Sequence, residues 1–184
     1  MAKKSIFKEF FLPIIVLVMV CVVIGAAMAA INTLTAPKIE EEQLKREREA
    51  LTVVIPDNKG FEKIEPKAQY ESVVALYADK GSDSVAVMLS IKGYDSSNPM
   101  SVAVGFDADG KITKCSVISC SGETKGIGSK VSNEDFLSDF YGKEDVSDVD
   151  TISGATISSS AFKKAIGEAV SAVKDYKSAE VSVK

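Results

Sequence analysis

The chain of 184 residues contains no histidine and no tryptophan, and its three cysteines form no CxxC pair. The absence of histidine excludes imidazole catalysis and the usual zinc and haem ligand sets, so we expect no metal site. Cys21 lies in an apolar run and is interpreted as a packing residue. Cys115 and Cys120 flank the end of a predicted strand, where a disulfide is the less favoured alternative. Without a catalytic set of its own, the chain must take any demanding chemistry from a bound cofactor or from carboxylates, hydroxyls, lysines and thiols.

Positive charge is scarce beyond the N-terminus. Residues 1–9 carry a net charge of +2 and the whole chain −4, which leaves −6 for the remainder. Nucleic acid is recognised through basic surfaces, so the acidic remainder argues against nucleic acid as a partner.

Charge is absent altogether from Phe10 to Pro37, and the run up to Ile31 is almost entirely apolar. A helix of about 20 such residues spans a bilayer, so we predict one transmembrane helix over residues 10–32. A signal peptide ending near Ala27-Met28-Ala29 is the alternative, but the length of the run and the charged helix after it favour a retained anchor. By the positive-inside rule, residues 1–9 lie in the cytoplasm and the soluble domain lies outside the cell membrane.

Periodicity predicts an α+β fold: an antiparallel sheet packed with helices, preceded by the N-terminal transmembrane helix. A helical stalk is expected over residues 33–59, the soluble domain over residues 60–176 and a flexible tail over residues 177–184. The predicted helices are Lys38–Val54, Asn133–Tyr141 and Ile157–Tyr176. The predicted strands are Ser72–Tyr77, Val85–Ile91, Val102–Phe106, Lys111–Ser119 and Val146–Thr151.

Two further expectations concern the surfaces of these elements. The small residues Ser101, Ala103 and Gly105 define a sheet face that could receive a helix or a flat ring. On the last helix, an apolar stripe is predicted to enter the core and four charged residues to face water. The stripe is Phe162, Ile166, Ala169 and Val173; the charged residues are Lys163, Lys164, Glu168 and Lys174.

The segment Asp150–Ser159 reads DTISGATISS and predicts a tight turn at Gly154 followed by a helix start rich in hydroxyls. The first amides of a helix have no intrahelical partner, and the helix dipole favours an anion there. Thr156 occupies the expected N-cap position. The segment therefore suits a phosphate, although an ordinary helix cap has the same composition.

A second glycine-containing segment, Glu123–Lys130, follows a predicted strand and reads ETKGIGSK. Two glycines two residues apart are common in turns, so this loop alone is weak evidence of function. Gly126 and Gly128 would permit a close approach of backbone to a bound ring.

Together the two segments resemble a known family. DTISGATISS is similar to the flavinylation motif of the FMN-binding domains in the G subunit of the Rnf complex and in the C subunit of the sodium-translocating NADH:quinone reductase. ETKGIG resembles the family's Glu-Thr-Pro-Gly-Leu-Gly segment, and Asn32–Ile39 resembles the segment after the family's anchor. The chain departs from the pattern at Ser121, where the family has histidine, and at Lys125, where it has proline. Gly93-Tyr94 resembles the family's Gly-Tyr-Gly segment, but Asp95 stands in place of the second glycine.

The resemblance implies that a flavin transferase joins FMN through its phosphate to the Thr156 hydroxyl. The cofactor is expected to be bound by residues around the attachment point, namely Ser153, Gly154, Ala155, Ser158 and Ser159. The first-turn amides and Ser158 or Ser159 are expected to hold the remaining negative charge of the phosphate. In the second segment, Glu123 and Thr124 are expected to bond the polar edge of the flavin or to hold the loop, beside Gly126 and Gly128. Asp150 is expected to serve recognition by the transferase, with a plain turn-forming residue as the alternative.

The implied function is an electron-transfer component of an Rnf-type ion-translocating ferredoxin:NAD⁺ oxidoreductase, which is not a complete enzyme alone. Its expected partners are the other membrane subunits of the complex and the flavin transferase. Two alternatives stay open. One is the C-type component of a sodium-translocating NADH:quinone reductase, whose members are generally longer. The other is a free-standing anchored FMN domain for extracellular electron transfer.

Overall fold

The structure, a computed structural model, describes residues 11–66 and 69–181, with only the backbone of residues 180 and 181. The chain divides into two compact units after Lys45. The predicted cytoplasmic segment 1–9, the first residue of the predicted span and residues 182–184 of the predicted tail lie outside the described residues.

The first helix, α1, runs from Leu12 to Val54 and includes Pro37. The sequence interpretation divided this stretch into a span and a separate stalk helix, whereas the structure has one continuous helix. Its N-terminal part is long and apolar enough to cross a membrane, and its apolar side chains are exposed. A retained anchor and a signal sequence both fit that description.

The sheet has five antiparallel strands in the order β1-β2-β3-β4-β5, which confirms the predicted meander. The strands are β1 (Phe61–Ile64), β2 (Val73–Asp79), β3 (Val85–Ile91), β4 (Met100–Phe106) and β5 (Ile112–Ser119). The sequence did not indicate β1, because this edge strand has four residues and its central Glu62 and Lys63 are exposed. The predicted hairpin turn joins β4 to β5, with Gly110 at a φ of 86°.

One face of the sheet packs against the last helix, α3 (Thr156–Val181), and a short helix, α2 (Glu134–Ser138). The predicted stripe of α3 is buried as expected. Three phenylalanines fill the space between the two helices, with ring centroids 5.2–5.6 Å apart: Phe136, Phe140 and Phe162. This large core fixes the position of the first turns of α3.

The other face packs against the last residues of α1 and the turn that follows. Ala50, Leu51, Val54 and Ile55 form a second buried cluster with small or flexible residues of the sheet, Ala86, Met88 and Ala103. A Cβ at Gly105 would lie 2.5 Å from the Val54 carbonyl oxygen, so the helix backbone approaches the strand closely. The predicted small-residue face therefore receives a helix.

The predicted strand over residues 146–151 was wrong, because this segment forms turns. Its buried Val146 and Val149 gave the apolar pattern of a strand. Its carbonyls, however, accept hydrogen bonds from a side chain: Lys163 Nζ donates to Ser147 O at 2.6 Å and to Val149 O at 2.7 Å. Lys163 was predicted to face water and is instead half-buried over this segment.

The last helix is longer than predicted at both ends. It begins at Thr156 and continues to Val181, past Tyr176, where the sequence interpretation placed the start of a flexible tail. Ahead of α2, residues Gly128–Ser132 form a turn of 3-10 helix. These elements place the glycine loop and the start of α3 on the same side of the core.

Candidate functional site

The start of α3 is built around a turn and a buried serine. Gly154 has a φ of 81°, a conformation that L side chains rarely adopt, so glycine allows the chain to reverse there. The Ala155 carbonyl accepts the bond from Ser159 N at 2.9 Å, which makes Ala155 the cap and Thr156 the first helical residue. The predicted N-cap position of Thr156 was therefore wrong by one residue. This shift leaves the Thr156 side chain exposed.

Ser159 locks this turn from inside the protein. It is fully buried, its hydroxyl accepts from Ile152 N at 3.1 Å, and it donates to Ala155 O at 2.9 Å. The hydroxyl is therefore engaged by backbone on both sides of the turn, and it orients the exposed residue between them.

Glu123 lies beneath the same helix start. Its side chain is 7% exposed, and its Oε1 accepts from the Tyr94 backbone N–H at 3.0 Å. Its Oε2 accepts a hydrogen bond from the Ser158 hydroxyl. Glu123 therefore bonds to the loop after β3 and to the first turn of α3, while its own backbone belongs to the loop after β5.

Two glycines leave room for this carboxyl group. A Cβ at Gly93 would lie 1.8 Å from Glu123 Oε1, and a Cβ at Gly128 would lie 2.6 Å from Glu123 Oε2 and 2.7 Å from Ser158 Oγ. The requirement for glycine at position 128 thus comes from packing within the protein. Gly126 differs, since its φ of 78° serves the turn and its Cβ would meet open space.

An open cleft of about 410 Å³ adjoins the start of α3. Its lining residues come from three segments: Tyr94, then Thr124, Ile127 and Gly128, then Gly154, Ala155, Thr156, Ile157 and Ser158. Three large apolar residues of this lining are exposed: Tyr94 by 65%, Ile127 by 49% and Ile157 by 62%. Exposed apolar side chains around a concave surface are typical of a ligand site.

The structure brings most of the predicted site residues together. Thr124, Gly128, Gly154, Ala155, Thr156 and Ser158 line the cleft. Glu123 is not a lining residue, but its carboxylate bonds to Ser158 in the cleft wall. Ser153 and Gly126 are near in sequence but are not among its lining residues, and Ser159 is buried behind the turn. Asp150 is exposed ahead of the turn.

Sequence reasoning did not include Ile127, Ile157 or Tyr94 among the site residues. The two isoleucines stand between motif residues, and Gly93-Tyr94 carried a partial resemblance to the family's Gly-Tyr-Gly segment. At the departure from that segment, Asp95 accepts from Asn98 Nδ2 at 2.7 Å and from Ser97 N at 2.9 Å. The bond from the Asn98 side chain is the main reason that the pKa of Asp95 lies below its ordinary value. Asp95 therefore closes a local turn.

The electrostatics of the cleft are set by the helix. The first amides of α3 have no intrahelical partner, and the peptide dipoles place partial positive charge at this end. The site therefore combines an exposed hydroxyl, a positive helix end and apolar walls. This combination fits a ligand that has both a phosphate and a flat apolar ring.

Comparison with known proteins gives the class. Residues 93–171 match the family model described as FMN-binding domain, a range that includes the whole cleft. Residues 93–171 thus correspond to an FMN-binding domain, as the two motifs predicted.

A particular relative extends the match. The chain is 27% identical over 168 residues to a Clostridium ljungdahlii protein, which is named as the G subunit of the proton-translocating ferredoxin:NAD(+) oxidoreductase complex. The match covers 85% of this chain and 88% of the relative. The resemblance to the G subunit of the Rnf complex is confirmed.

Proposed function

We propose that this chain is a membrane-anchored flavoprotein electron carrier and the G-type subunit of an Rnf-type ion-translocating ferredoxin:NAD⁺ oxidoreductase. FMN is bound covalently, as an ester of its phosphate with the Thr156 hydroxyl. The chain acts within a larger oxidoreductase and is not a complete enzyme by itself. The other membrane subunits of the complex and a flavin transferase are its partners.

The observation that carries this proposal is the position of Thr156. Its side chain is exposed, it is the first residue of α3, and it lies in the wall of the cleft. A transferase can reach such a hydroxyl, and the end of the helix stabilises the negative phosphate that is brought to it.

The remaining residues of the cleft suit the rest of the cofactor. Tyr94, Ile127 and Ile157 supply apolar surface for the ring, and Thr124 offers a hydroxyl and backbone groups to its polar edge. The flavin supplies the electron chemistry, and the chain supplies placement and environment. Ser158 and Ser159 are committed to Glu123 and to the turn, which leaves the phosphate to the first amides of the helix.

Attachment uses a donor in which the phosphate of FMN is joined to a nucleotide. Thr156 Oγ1 forms the new P–O bond at the flavin phosphate, and the bond from that phosphorus to a nucleotide leaving group breaks. The hydroxyl proton passes to solvent. Covalent attachment has a clear benefit outside the cytoplasm, where a dissociated flavin would be lost.

The match to a G subunit supports the G-type subunit over the C-type subunit of the quinone reductase. The alignment covers 88% of the length of that relative, which belongs to a ferredoxin:NAD(+) oxidoreductase complex. The apolar part of α1 serves as the anchor, in the cell membrane, with a single span. The basic residues 1–9 keep the N-terminus in the cytoplasm and place the FMN-binding domain on the outer side.

Intact mass of the full chain tests the proposal. The protein is produced with and without a flavin transferase, as wild type, Thr156→Ala and Thr156→Ser. Wild type should gain the mass of one FMN less one water only with the transferase, and Thr156→Ala should gain none. Thr156→Ser keeps a hydroxyl and should retain part of the gain.

Ser160→Ala is the matched control, since Ser160 is an exposed hydroxyl one turn further along the same helix. It should leave the mass gain intact. The absence of any mass gain in wild type, or an equal gain in Thr156→Ala, would refute covalent attachment at this residue.

A further inference from the structure

The carboxyl group of Glu123 joins the three segments of the cleft wall through the hydrogen bonds of a single side chain. Tyr94 contributes a backbone N–H, Ser158 a hydroxyl, and Glu123 itself belongs to the loop that contains Thr124 and Ile127. Each of the three segments also provides lining residues to the cleft.

This arrangement is built for the carboxyl group. Glu123 is more than nine-tenths buried, and the glycines at positions 93 and 128 leave the space that its two oxygens occupy. A buried carboxyl group without hydrogen-bond partners would be strongly unfavourable. The two glycines allow the carboxyl group to fit at this position, and the two hydrogen bonds compensate for its burial. Each of the two oxygens already accepts a hydrogen bond from the protein.

We propose that Glu123 is a positioning residue, which holds Ser158, and hence the first turn of α3 with Thr156, in register with the apolar walls around Tyr94 and Ile127. This inference rests on the proposed function and assigns Glu123 a role that needs no contact with FMN. Ser158 is the hydroxyl through which Glu123 acts, two residues after Thr156 on the same helical turn.

The chemistry of the two bonds identifies a conservative variant. In Glu123→Gln, the amide oxygen can still accept from Tyr94 N–H, and the NH₂ group can donate to the Ser158 hydroxyl, because a hydroxyl also accepts. Glu123→Gln therefore keeps the bridge and removes the titratable group. Glu123→Ala removes the bridge and leaves the Tyr94 N–H and the Ser158 hydroxyl without this partner.

The experiment measures two quantities on the full chain. The first is the initial rate of FMN attachment by the transferase, followed by intact mass. The second is the hydrogen-exchange rate of the Tyr94 amide in protein made without the transferase. Circular dichroism checks that each variant is folded.

Glu123→Ala should attach FMN on the order of ten- to a hundred-fold more slowly, because small misplacements of a reacting group have effects of this size. Its Tyr94 amide should exchange at least about ten-fold faster, because it loses a buried acceptor. Glu123→Gln should keep most of the wild-type attachment rate and most of the protection of the Tyr94 amide. Ser158→Ala should slow attachment but leave the Tyr94 amide protected. Glu62→Ala, at an exposed position of β1 on the far edge of the sheet, should match wild type.

Wild-type rates in folded Glu123→Ala would overturn the proposal. Equal defects in Glu123→Gln and Glu123→Ala would also overturn it, because the charge and not the bridge would then be required. Should Glu123→Ala fail to fold, Ser158→Ala attaching FMN at the wild-type rate would be sufficient to refute the role. If wild type attaches no FMN, the proposed function fails, and the exchange of the Tyr94 amide in the Gln and Ala variants still decides whether the bridge exists.

Discussion

The two faces of the sheet are packed by different means. On the face toward α1, small side chains and Gly105 let a helix backbone approach within contact of the strand. On the face toward α3, large side chains fill a deep core, and Phe162 lies six residues after Thr156 on the helix that begins at the cleft. The α1 face holds a helix backbone close to the sheet, whereas the α3 face also positions the candidate site. Mutations in the two faces should therefore separate stability from flavin attachment.

The largest effect is expected from Phe162→Ala on the α3 face. Phe162 is fully buried between two other phenylalanine rings, so its removal should lower the free energy of unfolding by about 3–5 kcal/mol. Attachment of FMN to the protein that remains folded should also slow, because the first turn of α3 loses its support. Chemical denaturation and intact mass measure the two quantities.

Val173→Ala is the control within the same helix. Val173 is buried on the same face but lies 17 residues after Thr156, about 25 Å along the helix axis. It should lower stability without slowing attachment. If FMN attachment were slowed equally in Phe162→Ala and Val173→Ala, the slowing would come from lost stability and not from the position of Phe162 near the cleft.

The second prediction concerns Gly105→Ala on the α1 face. The added methyl group would meet Val54 O at 2.5 Å and Thr113 Oγ1 at 2.6 Å, so the helix end must move away. Such overpacking should lower the free energy of unfolding by about 1–3 kcal/mol. FMN attachment should stay at the wild-type rate, because the cleft lies on other elements.

Ser101→Ala, on the same strand, is the control for Gly105→Ala and should change stability little. A loss of attachment in folded Gly105→Ala would mean that the α1 face also shapes the cleft. The two faces would then not be independent.

The α3 face also shows how far sequence reasoning reached. Strand alternation predicted β2 to β5, and the apolar stripe of α3 predicted its buried face, because period-2 and helical patterns report burial directly. The strand predicted over residues 146–151 was wrong, because an apolar pattern indicates which residues are buried but not what their backbone groups bond to. Here the Lys163 side chain bonds to the backbone carbonyls of Ser147 and Val149. The four-residue β1 gave too short a signal to be distinguished from a loop.

The candidate site was also predicted only in part. The two motifs contained Thr156 and Glu123, but the roles of their neighbours depended on tertiary contacts. Gly128 was interpreted as room for a ring, whereas the structure shows room for the Glu123 and Ser158 side chains. Ile127 and Ile157 were overlooked because the sequence gives no sign that an isoleucine in a motif will be exposed.

A third prediction tests the segment that replaced the predicted strand. Lys163→Met keeps the aliphatic stem and removes the ammonium group that bonds two carbonyls, so the free energy of unfolding should fall by about 1.5–3 kcal/mol. Hydrogen exchange should increase in residues 146–150, ahead of the turn at the cleft.

Lys164→Met is the neighbouring control. Lys164 forms exposed ion pairs with Glu71 and Glu168, and exposed pairs contribute about 0–1 kcal/mol. A larger loss in Lys164→Met than in Lys163→Met would contradict the assignment of Lys163 as the residue that supports this segment.

The smallest effect is a pH dependence from the α3 face, where Cys115 is buried. Burial, with a smaller effect of Glu134, raises the pKa of this thiol from 9.0 to about 12. Well below pH 9 the thiol is protonated in both states and contributes no slope. Above pH 9 the unfolded chain releases the proton and the folded chain does not, so stability falls as pH rises toward 12, by about 1.4 kcal/mol at pH 10.

Comparison with Cys115→Ala isolates this contribution, because the pKa of Tyr141 is also raised to about 12, mainly by burial, and this tyrosine titrates in the same range. The decline in stability from pH 8 to pH 10 should be shallower in Cys115→Ala than in wild type. At pH 8, a thiol reagent should modify the half-buried Cys120 well before Cys115. Equal labelling of the two cysteines in folded protein would contradict the burial of Cys115, as would parallel pH profiles for wild type and Cys115→Ala. Either result would mean that the core beneath α3 is open to water and is not the closely packed face described above.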